Sequence, residues 1–251
     1  MHRLTRTLRW LIWLPVLCWL SACIQVDVRF DIRPDGSGQI TETFRVRDDA
    51  AWLPAGASPL SAYLNPLRLS ERALSMAPGI AVSGEVLPKD GALHVAQVTY
   101  DVPDFQGLIW RFGQRPMPDS LTYRFELNRR EGQPLRVDVV NDPFVAGLGR
   151  LPPQDTQALN KVVAAVEAMA GVQVNVQVVA SGEVLKSTGR WQSGPRTTLF
   201  QVRPDELLGQ RAWQDTLRPA PATPGVPACE ASSPLPFLQL DCQPRISLWL
   251  R

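Results

Sequence analysis

The sequence has few of the residues from which enzymes build metal and nucleophilic sites. Its 251 residues include two histidines, His2 and His94, and four cysteines. No group of His, Cys, Asp and Glu has the spacing of a zinc site, and the sequence contains neither a G-x-S-x-G nucleophile motif nor a Walker motif. His94 lies in a stretch of alternating apolar and polar residues, which favours a partly buried strand position over a catalytic one. We therefore expect a protein that is not an enzyme and uses no cofactor.

The sequence also lacks an excess of charge of one sign. Its 26 lysines and arginines and 24 acidic residues give a formal net charge of +2 at pH 7. Three of the arginines lie within residues 1–22, which contain no acidic residue, so the remainder of the chain has a formal net charge of −1. A near-neutral chain with dispersed charge gives no electrostatic reason to expect binding of nucleic acid.

The apolar run near the N-terminus is too short for a membrane-spanning helix. It covers residues 10–20, whereas a transmembrane helix needs roughly 17–25 residues. A short apolar run after three arginines is typical of a secretory signal. The run ends in LSAC at residues 20–23, which resembles the lipobox of bacterial lipoprotein precursors. That resemblance implies cleavage between Ala22 and Cys23 and attachment of acyl chains such as palmitate to Cys23; the alternatives are an ordinary signal peptide and an uncleaved anchor.

Acylation of Cys23 would attach the protein to a membrane. Each buried CH₂ contributes about 0.8 kcal/mol, so two or three acyl chains hold a protein much more firmly than one. Residue 24 is Ile rather than the Asp associated with inner-membrane retention in enteric bacteria. In a Gram-negative host the resemblance therefore implies the periplasmic face of the outer membrane. Because a strand is predicted directly after Cys23, we expect the domain to sit against the membrane.

Two cysteines remain in the C-terminal region once Cys18 is removed with the signal and Cys23 is acylated. They are Cys229 and Cys242. In an exported protein two remaining thiols are expected to pair, and the short loop predicts a stabilisation of about 3 kcal/mol at most. The alternative is a pair of free thiols in a loose tail.

Alternating apolar and polar residues dominate the rest of the chain. The pattern predicts a β-hairpin from residues 24–32 and 40–47 around the turn PDGSG, and further strands near residues 80–87, 92–102, 121–127, 135–139 and 172–178. Helices are predicted after Asn65-Pro66, over residues 104–112 and from residue 154 to Gly171. The sequence therefore predicts an α+β fold, a mainly antiparallel sheet of short strands with two or three helices packed on one face. The predicted organisation is a signal peptide at 1–22, an α+β domain at 23–212 and a proline-rich tail at 213–251.

The hairpin turn has one competing interpretation as a calcium loop. In DIRPDGSGQITE, residues 31–42, Asp35, Gly36 and Glu42 occupy positions five, six and twelve of an EF-hand loop. However, Arg33 occupies a ligand position, and the flanking residues alternate as strands. The sequence therefore favours a hairpin without a metal.

One apolar group could line a ligand site. Phe105, Leu108, Ile109 and Phe112 follow the spacing of one helix face. They either build the core or line an apolar cavity for a lipid-like ligand.

The order of these features resembles LppM-like bacterial lipoproteins. The resemblance rests on LSAC, on a strand followed by PDGSG and a second strand, and on the later block VNVQVVASGEVLKSTGRW. It implies an α+β domain in the cell envelope that binds a hydrophobic ligand, without a catalytic motif; the proline-rich tail departs from it.

The leading hypothesis is a non-enzymatic, lipid-anchored domain that binds a hydrophobic ligand or an envelope partner. The alternatives are an envelope assembly factor without a small ligand and, less favoured, a hydrolase with an unrecognised site.

Overall fold

Two β-sheets form most of the part of the chain that the structure describes. The computed structural model describes residues 24–47, 60–61, 63–113, 121–141, 167, 170–208, 238–241 and 243–251. Strands account for 57% of these residues and helices for 11%. The strands are β1 (Ile24–Ile32), β2 (Gly38–Arg47), β3 (Ala81–Asp90), β4 (Leu93–Val102), β5 (Ile109–Arg111), β6 (Thr122–Asn128), β7 (Leu135–Asn141), β8 (Gln173–Ala180), β9 (Val184–Ser187), β10 (Gln192–Ser193), β11 (Arg196–Val202), β12 (Leu238–Leu240) and β13 (Arg245–Leu250). The helices are α1 (Pro66–Met76) and α2 (Pro204–Leu208).

The larger sheet has eight strands and one parallel pair. Its order is β10-β11-β8-β1-β2-β4-β3, and β12 pairs with β11. β1 and β8 run parallel, and the other pairs are antiparallel. β1 is therefore an interior strand that hydrogen-bonds to β2 on one side and to the distant β8 on the other.

The hairpin predicted from the PDGSG turn is confirmed. β1 and β2 pair antiparallel from Ile24 opposite Val46 to Ile32 opposite Gly38. Gly36 adopts a φ of 86°, and the Asp35 carboxylate accepts hydrogen bonds from the Ser37 amide and hydroxyl at 2.8 and 2.7 Å. An aspartate that bonds to the backbone two residues on, followed by glycine with positive φ, fixes the turn.

The smaller sheet packs face to face on the larger one. It has five strands in the order β5-β6-β7-β13-β9. Phe30 of β1 lies between the sheets, with its ring centre 5.4 Å from that of Trp110 and 4.9 Å from that of Phe125. The apolar faces of both sheets belong to one buried cluster. The described chain is therefore a two-sheet sandwich with an aromatic core.

Helix α1 starts where the sequence predicts. The Asn65 side chain accepts a hydrogen bond from the Arg68 amide, and Pro66 occupies the first helical position. Its buried face consists of Leu69, Arg72, Ala73 and Met76. Leu69 would lie 3.1 Å from a Cβ at Gly84 of β3, so the glycine allows the helix to approach the sheet closely.

The predicted α+β class is wrong, because the structure has two sheets where one sheet with covering helices was expected. The apolar spacing over residues 104–112 indicated a helix, but this segment forms a turn at Gly107, with a φ of 76°, followed by strand β5. The Gly107 amide donates to the Phe125 carbonyl and the Phe125 amide donates to the Leu108 carbonyl, both at 2.9 Å. Phe105 and Leu108, on either side of this turn, are both buried in one core, so their spacing in the sequence is the same as that of residues on one face of a helix. Of the helix predicted from residue 154, most lies outside the described residues.

The end of the predicted tail is part of the second sheet. β13 lies between β7 and β9 and pairs with both. These residues belong to the predicted proline-rich tail, residues 213–251, and they occupy an interior position in the sheet. The described helices include none that is long and apolar enough to cross a bilayer.

Candidate functional site

A buried polar network at Glu42 joins the larger sheet, helix α1 and strand β5. Glu42 lies on the inward face of β2, where alternation would place an apolar residue. Its Oε1 accepts hydrogen bonds from Trp110 Nε1 at 2.7 Å and from Arg72 Nη2, and its Oε2 accepts from the Tyr63 hydroxyl at 3.3 Å. The side chains of Arg72 and Glu42 are 8% and 5% exposed. The carboxylate is therefore enclosed and neutralised by a single cation.

Arg72 also donates to the backbone at the end of β5 and just after it. Its Nη1 donates to the Gly113 carbonyl and its Nη2 to the Arg111 carbonyl. Burial disfavours the charged form of Arg72, but the charge and hydrogen bond of Glu42, together with Tyr100 and Tyr63, outweigh burial and raise the pKa of the guanidinium. A charged arginine at this position links α1 to both sheets.

Two phenols and one nitrogen complete the surroundings of this network. Burial and then the charge of Glu42 raise the pKa values of Tyr63 and Tyr100. The Tyr100 hydroxyl and Arg72 Nε are also buried, and neither meets the geometric criteria for a hydrogen bond to any of the described residues. Phenols that stay protonated beside a neutralised carboxylate fit a structural role better than general acid–base catalysis.

Three of the four residues predicted to line a ligand cavity lie in or against the sandwich core. Phe105 and Leu108 are both 0% exposed, and the Phe105 ring centre lies 5.2 Å from that of Phe125. Phe112 is partly buried against Trp110, with ring centres 6.1 Å apart, and Ile109 is in strand β5 with intermediate exposure. Phe105, Leu108 and Phe112 thus lie in or against one core. Ligand binding by these residues stays a prediction.

The residues of the predicted anchor and disulfide lie outside the described residues. These are Ala22, Cys23, Cys229 and Cys242. Strand β1 begins at Ile24, the residue after Cys23, and Ile24 is buried.

His94 is in β4 opposite Val46 with intermediate exposure, which confirms the predicted strand position. The described residues contain no group of three or more His, Cys, Asp and Glu that could hold a metal ion.

A second charged cluster lies on the face of the five-stranded sheet that points away from the sandwich core. Asp138 of β7 accepts hydrogen bonds from the Ser247 hydroxyl at 2.6 Å, from Arg136 Nε at 2.9 Å and from Arg245 Nη1 at 2.9 Å. Burial opposes ionisation of Asp138, but the hydrogen bonds from Ser247 and the two arginines outweigh burial and lower its pKa. This carboxylate stays charged and holds two guanidinium groups in place.

Each of the two charged clusters contains a residue whose position in the sequence indicates that it is buried, although neither cluster was predicted. Glu42 lies between Ile40 and Phe44 on the alternating inward positions of β2, and Asp138 lies in a strand in which most neighbours are apolar. Arg72 falls on the apolar stripe of α1. Charged residues at such positions need buried partners. The partners themselves were not predictable, because Glu42 and Trp110 are 68 residues apart and Asp138 and Ser247 are 109 residues apart.

Comparisons with known proteins give little beyond this geometry. No protein-family model matches the sequence, and no curated protein matches it. Among solved structures, the chain is similar to the NMR structure of the folded domain of the Mycobacterium tuberculosis LppM protein, with 12% identity over 91% of this chain and 90% of that chain and a TM-score of 0.33. The sequence motifs resemble the same group. The identity and the TM-score are too low to carry a ligand, a site or an anchor from that protein to this one.

Proposed function

We propose that this chain is a lipid-anchored protein of the bacterial envelope and that its β-sandwich is a non-enzymatic interaction module. One observation carries the proposal: β1 begins at Ile24, directly after the cysteine of the LSAC motif. The side chain of Ile24 is already buried, so no linker separates the folded domain from Cys23. Acyl chains on Cys23 would therefore hold the sandwich at the bilayer surface.

The packing of the sandwich favours binding on its surface over binding in its interior. Phe105 and Leu108, two of the four side chains predicted to line a ligand cavity, are fully occupied by core contacts. A lipid-like ligand would have to displace them, at the cost of their packing. The proposed module therefore binds a partner of the envelope at its surface.

Substitution of the acceptor cysteine tests the anchor. The full-length Cys23→Ser variant, expressed in a Gram-negative host fed radiolabelled palmitate, should carry no label and should leave the membrane fraction or accumulate as the uncleaved precursor. Cys18→Ser is the matched control, because Cys18 lies in the predicted signal and is not the acceptor, and it should be labelled like the wild type. A processed Cys23→Ser protein that stays in the membrane fraction would contradict the proposal.

A further inference from the structure

The outer face of the five-stranded sheet carries a row of cations around one tryptophan. Trp249 of β13 lies opposite Arg136 of β7 and Lys186 of β9. The guanidinium carbon of Arg136 lies 5.3 Å from the indole centre, and Lys186 Nζ lies 5.0 Å from it. Arg245 and Arg124 extend the row along β13 and β6. We call Arg124, Arg136, Lys186, Arg245 and Trp249 the basic face.

The side chains of the basic face point away from the core. Residues that alternate with them in the same strands, among them Val137 and Leu248, are buried between the sheets. Since neighbouring side chains in a strand point to opposite faces, the basic face is directed outward. The side chains of Arg136, Arg245 and Arg124 are 37%, 46% and 52% exposed, which leaves their outer edges accessible.

The basic face has more positive than negative charge. Among the residues that the structure describes, two carboxylates lie between these cations, and both are engaged: Glu126 pairs with Arg124 and Arg245 at 3.0 Å, and Asp138 pairs with Arg136 and Arg245 at 2.9 Å. Four cationic side chains against two carboxylates leave two uncompensated positive charges. Arg136 is held by the buried Asp138, so a guanidinium group is positioned before any ligand arrives.

The Trp249 end of the basic face lies near the β1–β2 turn, at the opposite end of β1 from Ile24. Arg251, two residues after Trp249, has its carbonyl oxygen 2.4 Å from where a Cβ of Gly182 would be, and Pro34 lies 2.8 Å from the same point. The C-terminal end of β13 is therefore beside the β1–β2 turn. β1 has nine residues between Ile24 and that turn, which at about 3.3 Å per residue is about 30 Å.

We propose that the basic face binds an acidic polysaccharide, whose carboxylate groups are held by Arg136, Lys186 and Arg245. The charge excess selects an anionic partner, and cations repeated along and across the strands suit a polymer with repeated anions. Arginine and tryptophan are enriched at protein interfaces, but lysine, glutamate and aspartate are depleted there, and Lys186, Glu126 and Asp138 all lie in or between the residues of this face. A protein partner therefore fits less well. The membrane surface fits less well because Trp249, Arg136 and Lys186 lie near the β1–β2 turn, at the opposite end of β1 from the residue that follows the proposed anchor cysteine. The inference adds a partner class to the proposed function and uses that proposal only to locate the membrane.

The test is binding of the full-length protein, in detergent micelles, to immobilised polygalacturonate. Neutral dextran serves as the comparison surface, and salt should weaken binding by screening. The double variant Arg136→Gln/Lys186→Gln should bind about tenfold or more weakly, since two charge-assisted contacts are lost. The matched control is Arg68→Gln/Arg203→Gln, which removes two exposed cations from α1 and from the segment before α2 and should change binding by less than about twofold.

Three results would overturn the inference. The first is equal binding to dextran, and the second is an equal loss in the control variant, which would assign binding to net charge alone. The third is binding of the wild type to anionic phospholipid vesicles without binding to polygalacturonate, which would make the face a lipid surface. The measurement in detergent does not depend on acylation of Cys23, so its failure is distinguishable from failure of the anchor. Circular dichroism of each variant verifies that it is folded.

Discussion

Glu42 and Arg72 form an ion pair in which both side chains are less than one-tenth exposed. The pair joins the centre of β2 to the buried face of α1, and the Trp110 indole donates to the same carboxylate oxygen. Removing two opposite charges together from such a site is often tolerated, whereas removing one leaves the other buried and uncompensated. The pair therefore has a large effect on stability only when it is broken on one side.

Breaking this pair should strongly destabilise the protein. Arg72→Ala is expected to lower the free energy of unfolding by about 3–5 kcal/mol, because Glu42 is left as an unpaired buried charge. Chemical denaturation monitored by tryptophan fluorescence measures the change. Arg68→Ala, on the exposed side of the same helix, is the control and should change stability by about 0.5 kcal/mol or less. Equal effects of the two substitutions would show that the pair is not buried as described.

Asp138 should make stability depend on acid pH. Its pKa is lowered in the folded state, so its contribution is present above the unfolded value of about 3.9 and is lost as the pH falls through the folded pKa. Asp138→Asn should therefore be less stable than the wild type at pH 7, and the difference should shrink below pH of about 4. Denaturation at several pH values measures both curves, and a difference that stays constant down to the lowest pH would contradict the assignment.

Asp241 should make stability depend on pH in the opposite direction from Asp138. Burial raises the pKa of Asp241 in the folded protein, so the folded state loses stability as the pH rises through that pKa and Asp241 ionises. Asp241→Asn should remove this loss, and its stability relative to the wild type should improve with rising pH. The same denaturation series tests this, and a relative stability that falls with rising pH would be inconsistent with a raised pKa.

The hairpin and most strands were predictable, whereas the two-sheet architecture was not. The strands at residues 24–32, 92–102 and 121–127 have alternation that local sequence defines, and the Asp35-Gly36 turn has its own chemistry. Which strands share a sheet depends on pairs such as β1 with β8, whose residues are about 150 positions apart. Alternation of apolar and polar residues specifies which side chains of a strand face the core, but it does not specify which strand pairs with which. One sheet covered by helices and two packed sheets therefore give similar sequence patterns.

The candidate sites were less predictable than the fold for a related reason. In the sequence, Glu42 is notable only as the last position of a calcium-like loop. In the structure, its carboxylate accepts hydrogen bonds from residues of α1 and β5. The apolar face of the helix predicted at residues 104–112 does not include Trp110. In the structure Trp110 is buried in the core and donates a hydrogen bond to Glu42. A buried charge in an apolar strand is visible in the sequence, but its counterion is defined by tertiary packing.

Gly182 should not tolerate a side chain. A Cβ at this position would lie 2.4 Å from the Arg251 carbonyl oxygen and 2.8 Å from Pro34, and backbone cannot move aside as a flexible side chain can. Gly182→Ala is expected to cost about 1–3 kcal/mol of unfolding free energy through overpacking. Ser181→Ala, at the exposed neighbouring position, is the control. A thermal melt of both variants decides the question, and equal melting temperatures would mean that the C-terminus does not pack beside the β1–β2 turn.

Leu248 should contribute to stability as a core residue. It is 1% exposed in β13, between β7 and β9, and Leu248→Ala is expected to cost about 2–5 kcal/mol. Leu185→Ala in the neighbouring β9 is the control, since Leu185 is 39% exposed. Urea denaturation compares them. If the two variants lost equal stability, residues 245–250 would be a tail docked on the surface and not an interior strand.

The interior position of both β1 and β13 determines when this protein can finish folding. β1 needs β8 on one side, and the second sheet cannot close until β13 enters between β7 and β9. Contacts of such large sequence separation fold slowly. The sandwich therefore stays incomplete during synthesis until β13 has been made. Chaperones and proteases would meet this protein before its native sheets exist, so the rate of synthesis should influence its yield as much as its final stability does.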